Sequence, residues 1–227
     1  MNLKRSSKQA NPINVVNHEL KSRLFSIKVY TQLLEKNILK INNQKLLAYA
    51  EKVDTQIDKL SYALSDFIDY IKITDKTYAL NQEFLFIDDV IAQTVKIFLS
   101  LYPKAKIKVV GKTTREIFAD RNKLDKVLYT LLINACIYTV KTPKIKIHLS
   151  QLAKGIEVTV EDNGIGIKKT FMAKIFDPFY SIPLDGHKQR AGLGLFVAKE
   201  IIDRHGGKIR TTSTTPKGST FTFSLPF

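Results

Sequence analysis

The sequence predicts an α+β chain. An N-terminal antiparallel helical hairpin, completed as a four-helix bundle in a dimer, is followed by an α/β sandwich with a mostly antiparallel sheet. Three observations lead there. Apolar residues in the first third recur at alternating steps of three and four. From about Thr77 that rhythm gives way to short alternating strands set between helices. The 227 residues suit one domain or two small ones at about 100–200 residues each.

The hairpin rests on two stripes. Ile13, Val16, Leu20, Leu24, Ile27, Thr31, Leu34, Ile38 and Ile41 form the first, at the spacing of a helix–helix seam. Asn42-Asn43 offers a turn, and Leu46, Tyr49, Val53, Ile57, Leu60, Leu64, Phe67 and Ile71 form the second. Neither stripe contains glycine, and Pro12 stands near the start, where proline is tolerated. A lone hairpin has too little surface to bury its seam, so dimerisation is the expected completion.

In the second region Glu83–Phe86 reads as a strand and Asp88–Leu101 as a helix. Lys106–Val110 and Glu116–Ala119 read as strands, and Asn122–Thr139 as a strongly apolar helix. Lys144–Ser150 and Ile156–Glu161 alternate apolar with polar residues, as half-buried strands do. Ala191–His205 reads as a helix stopped by Gly206-Gly207, and Lys208–Thr212 with Ser219–Leu225 closes the chain as a strand pair. Helices mixed with antiparallel strands predict a sheet on one side and helices on the other.

Composition narrows the function. The longest apolar stretch, Leu128–Tyr138, is broken by Thr130 and Asn134. It falls well short of the roughly 20 residues of a membrane span, so none is expected. The basic start leads into no apolar core before His18, so no signal peptide is expected. A single cysteine, Cys136, points to a reducing, cytoplasmic setting. The net charge of +15 divides as +5 over residues 1–78 and +10 over residues 79–227, with lysines scattered through helix and strand patterns. No helix-turn-helix, zinc knuckle or aromatic RNA-binding motif accompanies it. A nucleic-acid partner is therefore not expected, and the lysines read as solvated faces that attract acidic or phosphorylated partners.

Four patterns carry chemistry. In Asn17-His18-Glu19-Leu20-Lys21-Ser22, the 100° helical step turns His18 away from the seam, and Ser22 shares its face. An imidazole is a competent nucleophile near neutral pH, and a neighbouring carboxylate can take its proton. An exposed histidine beside a glutamate is, equally, a common surface pair. Asn134 sits in the middle of an apolar helix, where its amide needs a partner or a task; it either bonds nearby backbone or serves as a Mg²⁺ ligand. Val160–Ile167 runs a strand into Asp162-x-Gly164-x-Gly166. That turn either requires glycine for its backbone or lets the chain approach a flat ligand, with a carboxylate to accept from an exocyclic amine. Gly192-Leu193-Gly194-Leu195 opens a helix, a ready phosphate site, and the preceding Lys168–Arg190 is long enough for a lid.

Together these patterns resemble the boxes of sensor histidine kinases, in family order and at family-like spacing. The histidine box is His18-Glu19-Leu20-Lys21, the asparagine box is Asn134, and the first glycine box is Asp162-x-Gly164-x-Gly166. Ile175-Phe176-Asp177-Pro178-Phe179-Tyr180 resembles the phenylalanine box, Gly192–Leu195 the second glycine box, and Lys217-Gly218-Ser219-Thr220-Phe221 the last one. The resemblance implies that residues 1–78 form the dimerisation and histidine-phosphotransfer hairpin and residues 79–227 a Bergerat-type ATP-binding domain. It implies that His18 takes the γ-phosphoryl group with Glu19 as base and Ser22 beside it, and that Asn134 holds Mg²⁺. Asp162 would read the adenine with Tyr138 packed near the base, while Gly164, Gly166, Gly192, Leu193, Gly194 and Thr220 complete the ATP site. Phosphate would pass from His18 to an aspartate of a response regulator receiver domain. Because the first helix begins close to Met1, the signal is expected from a separate sensor protein or a longer parent chain.

Four positions depart from the family pattern. Arg23 stands where proline is usual, Thr130 where an asparagine is common, Ile137 where Lys or Arg often faces the phosphates, and Ser181 where Arg often follows the Phe-Tyr pair. Two missing cations near a triphosphate weaken transition-state stabilisation unless Lys188 and Arg190 replace them. The Thr130 position also lacks the general-base glutamate of the ATP-hydrolysing gyrase, chaperone and MutL relatives. The rival to a kinase is therefore an ATP-binding, catalytically weak signalling partner or response-regulator phosphatase.

Overall fold

A computed structural model describes residues 12–40, 43–182 and 191–227. It divides into two compact units between Thr74 and Asp75. No described helix is long and apolar enough to cross a membrane.

The first unit consists of α1 (Pro12–Lys40) and α2 (Gln44–Thr74). Pro12 opens α1, where its missing N–H costs nothing. Asn43 caps α2: its side-chain oxygen accepts from the Leu46 N–H at 3.2 Å, removing one of the orphan donors of a helix start. At 1.5 Å per residue the helices run roughly 43 and 46 Å. Thr31 on α1 and Ala50, Ile57 and Ile68 on α2 are buried. The Lys28 ammonium on α1 bonds the Asp58 carboxylate on α2 at 2.5 Å and lies 3.8 Å from Asp54. Burial pulls the Lys28 pKa down, but the Asp58 hydrogen bond and the two negative charges outweigh it, and the net direction is up. Much of the predicted seam stays open: Leu34 is 59 % exposed and Leu60 57 %.

The second unit is a layer of helices on a sheet. Its elements are β1 (Glu83–Leu85), α3 (Ile87–Leu101), β2 (Lys106–Val110), β3 (Ile117–Ala119) and α4 (Arg121–Ile137). After these come β4 (Lys144–Leu152), β5 (Gly155–Asp162), α5 (Lys169–Met172), α6 (Gly194–Arg204), β6 (Lys208–Thr214) and β7 (Gly218–Pro226). The main sheet runs β2-β4-β5-β7-β6, and β1 pairs with β3 as a separate two-stranded sheet. Period-2 alternation puts Ile145, Ile147, Leu149, Val158, Val160, Phe221 and Phe223 on the covered face. They pack there with Leu124, Leu128, Leu131, Val197 and Ile201 from α4 and α6, all 5 % exposed or less. The other face holds the polar alternates, among them Lys144, Lys146, Glu161 and Thr222. The sheet is antiparallel throughout except for β2, which pairs parallel with β4.

Differences from expectation are local. The helix expected from Ala191 begins at Gly194, because Gly192 takes φ +68°, where a Cβ would stand 2.5 Å from the Tyr180 carbonyl oxygen. The expected lid segment contains the short helix α5. A buried polar joint has no counterpart in the sequence reading. The His205 imidazole accepts from the Asp120 N–H at 2.9 Å through Nε2, while its Nδ1 lies 2.7 Å from the Ile201 carbonyl oxygen. The Asp120 carboxylate caps α4 by accepting from the Lys123 N–H and also accepts from the Asn81 N–H at 2.8 Å. Three distant stretches of chain are thus fastened where burial makes an unmade bond costly.

Candidate functional site

The site grows from the end of β5. Strand pairing carries Asp162 to the rim of the sheet, opposite the start of β7. Its Oδ1 accepts two backbone N–H groups, from Gly164 at 2.7 Å and from Ser219 at 3.1 Å. Its other oxygen takes no hydrogen bond from any described residue. Burial raises the pKa of this carboxyl, the two N–H donors pull it back, the neighbouring Glu161 charge adds to the rise, and the net direction is up. A half-desolvated acceptor with one lone oxygen is suited to a polar N–H of a flat ligand.

The glycines here are steric requirements. A Cβ on Gly164 would stand 2.6 Å from the Tyr138 carbonyl oxygen, and Gly166 has φ +73°. Gly218 is tighter: with φ +100°, its Cβ would fall 2.0 Å from the Asp162 carbonyl oxygen. Ile165 N–H donates to the Tyr138 carbonyl at 2.9 Å, which seats the turn against the end of α4. Ser213 Oγ accepts from Ile167 N–H and lies 3.1 Å from Ser219 Oγ. The sequence reading missed Ser213 and Ser219. Ser219 is the serine of the last glycine box, which alternation places on the Asp162 side; Ser213, on β6, has no such local signal. Thr220, expected in the site, falls on the other face with Glu161, its cross-strand partner, because one step along a strand reverses the side chain.

Helix α4 supplies Asn134 and Tyr138 one turn apart, joined by the Tyr138 N–H to Asn134 carbonyl bond of 3.0 Å. Asn134 is half-buried, and its amide makes no hydrogen bond to a described residue. Among the described residues no three His, Cys, Asp or Glu side chains gather to hold a metal. A cation here would take the Asn134 oxygen together with phosphate and water oxygens, a donor set that fits Mg²⁺. Thr130 is buried and Ile137 half-buried. Cys136 is a free thiol pushed up to about 11 by burial, so it is protonated and inert at neutral pH.

The third wall runs from Ile175 to α6. Ile175 is buried and the Phe176 ring meets Phe221 edge-on at 6.5 Å. Phe179 holds φ +61°, uncommon for a non-glycine residue, and its backbone packs under Gly192. Leu193 is 2 % exposed, so its side chain belongs to the core. Helix α6 starts at Gly194 with no side-chain cap, leaving N–H donors for an anion. Ser181 is half-buried; Lys188 and Arg190 lie outside the described residues. On α1, Ser22 is exposed and its carbonyl accepts from Ser26 Oγ at 3.0 Å. His18, Glu19 and Arg23 lie on the α1 backbone, and their side chains are outside the described residues.

Residues 119–227 match the model of the histidine kinase-, DNA gyrase B-, and HSP90-like ATPase family. Signal transduction histidine-protein kinase AtoS of Escherichia coli (strain K12) is 28 % identical over 93 % of the chain, which covers 34 % of AtoS. Sensor histidine kinase WalK of Bacillus subtilis (strain 168) is 26 % identical over 93 % of the chain, which covers 36 % of WalK. The chain thus spans about a third of the length of these relatives. The crystal structure of full-length ShkA in complex with AMPPNP superposes with a TM-score of 0.71 at 22 % identity, over 95 % of this chain and 45 % of that one. The likeness to ShkA is one of fold. Residues 119–227 thus match the ATPase domain of that family, and the chain as a whole is similar to the catalytic core of sensor histidine kinases.

Proposed function

We propose that the chain is an ATP-dependent protein-histidine kinase that phosphorylates its own His18 and passes the phosphoryl group to an aspartate of a response regulator receiver domain. The observation that carries this reading is the Asp162 carboxylate, fixed through one oxygen by two backbone N–H groups and free at the other to accept from the adenine amine. Residues 79–227 hold the nucleotide: Tyr138 flanks the base, and the backbone of residues 192–194 faces the phosphates. Asn134 holds Mg²⁺, which when bound neutralises phosphate charge. The His18 imidazole attacks the γ-phosphorus, the bond from that phosphorus to the bridging oxygen breaks, and ADP leaves with the electron pair. Glu19 takes the imidazole proton. Residues 1–78 supply the acceptor and pair with a second copy, and a separate sensor protein or further sequence sets the activity.

Incubation with labelled ATP and Mg²⁺ tests this. Acid-labile, base-stable label that disappears in His18→Ala, with ATP affinity unchanged, is the expected result; label retained at wild-type yield in the variant overturns it. A second reading, an ATP-binding partner with little kinase activity, is supported by the half-buried Ile137 at the end of α4 and by Ser181, where cations would face the phosphates.

A further inference from the structure

The strand β2 ends the main sheet, and no described strand pairs with its outward edge. The Lys106 N–H donates to the Pro143 carbonyl at 2.8 Å, so Lys106 and Lys108 direct their backbone groups toward β4. Ile107 and Val109 then direct theirs out of the sheet. No described residue hydrogen-bonds to them, and Val109 is 43 % exposed.

Beside that edge lies a block of four lysines, of which Lys146 has an acidic residue, Glu161 on β5, directly opposite it. Lys106 pairs with Lys144, and Lys108 with Lys146, across the two strands. Alternation sets all four side chains on the open face, since the intervening Ile145 and Ile147 are buried. Strand spacing puts the four Cα atoms at the corners of a rectangle of roughly 5 by 7 Å. None of the four lysines has an ion-pair partner among the described residues. No acidic residue occurs in 104–115 or 141–156, which also hold Lys104, Lys112, Lys141 and Lys154. Like charges directly opposite one another destabilise a sheet. Lysines on an edge strand do discourage edge-to-edge aggregation, but β4 is an interior strand, and its lysines have no such use.

We propose that the β2 edge is the docking site for an extended acidic segment of a partner protein, which adds as a sixth strand. The main chain of the segment pairs with Ile107 and Val109, and its alternate carboxylates reach the lysine block. A second copy of β2 does not fit, because it sets lysines against lysines. A flat anionic membrane fits less well, because Glu157 and Glu161 on β5 share the same face, whereas the only charged side chains that β2 presents to a neighbouring strand are lysines.

A fluorescein-labelled peptide alternating glutamate and threonine, titrated into the full chain and followed by anisotropy, tests this. Saturable binding is expected, with amide hydrogen exchange of Ile107 and Val109 slowed in the complex. Replacing Lys106, Lys108, Lys144 and Lys146 together by alanine should weaken it about tenfold. Val109→Pro deletes a donor that points out of the sheet, a position where an edge strand tolerates proline. It should weaken binding severalfold without shifting thermal unfolding. The proposal is overturned if the peptide does not bind, if exchange at Ile107 and Val109 is unchanged, or if a peptide alternating glutamate with proline binds equally well. Binding to phosphatidylserine vesicles without binding to the peptide would assign the edge to lipid instead.

Discussion

The hairpin and the sheet-containing unit bury their apolar residues very differently. In the sheet unit Phe98, Ile147, Val197 and Phe223 are wholly inaccessible, and the helices complete a core without outside help. In the hairpin Val53, Leu60 and Phe67 keep about half their surface, and Leu24, Ile27, Val53, Ile57 and Leu60 line an open apolar groove. A monomeric protein leaves so continuous a stripe open only where something covers it. One unit closes its core on its own; the other leaves an apolar stripe open among the described residues. Stability and self-association should therefore respond to different residues.

The largest separation is expected in the cores. Phe223→Ala empties a fully buried site and should cost about 3–5 kcal/mol, read as a fall in denaturation midpoint that does not depend on protein concentration. Leu60→Ala should leave that transition in place and raise the dimer dissociation constant in sedimentation equilibrium. A concentration-independent loss of equal size in both variants would erase the contrast.

Next comes charge in the transfer step. Ile137→Lys with Ser181→Arg should raise the single-turnover labelling rate at saturating ATP by up to about 10²-fold, since a missing donor of this kind typically costs 10²–10³ in rate. ATP affinity should change little. No acceleration would mean that lid residues already supply the charge.

Asp162→Asn should weaken ATP by about 10- to 150-fold, the worth of a charge-assisted bond of about 1.5–3 kcal/mol, without destabilising the fold. The asparagine oxygen can still accept from Gly164 and Ser219. The pH dependence follows from the direction of the shift. The folded state holds the Asp162 proton more tightly than the unfolded state, so wild type gains stability as pH falls through the folded pKa. The variant lacks that gain, and the difference in denaturation midpoint between the two should change sign or shrink between neutral pH and the carboxylate range.

The smallest effect belongs to the hairpin surface. Lys28→Met removes a half-exposed ion pair with Asp58 and Asp54, and less than about 1 kcal/mol is expected by chemical denaturation.

The fold was legible where period and burial coincide. Lys144–Ser150 alternates without interruption and forms β4, and the bounds expected for β2 are those observed. The parallel pairing of β2 with β4 was not legible, because alternation fixes which face a side chain takes and says nothing of strand direction. The start of α6 was misplaced by three residues because periodicity does not register that Gly192 lies under the Tyr180 carbonyl. In the site, Asp162 and its glycines stood out as a local pattern. Ser213, Ser219 and the Asp120–His205 joint did not, since each does its task through backbone groups far away in sequence.

The place of β7 in the sheet has a consequence for synthesis. It is the last strand of the fold, yet it lies between β5 and β6 and carries both of their ladders. On the ribosome, β6 has no neighbour and Asp162 lacks its Ser219 donor until the chain has emerged through β7. The hairpin, whose two helices are adjacent in sequence, can pair long before. A chain halted before Gly218 would therefore carry a complete hairpin while the turn at Asp162 still lacked one of its two backbone donors.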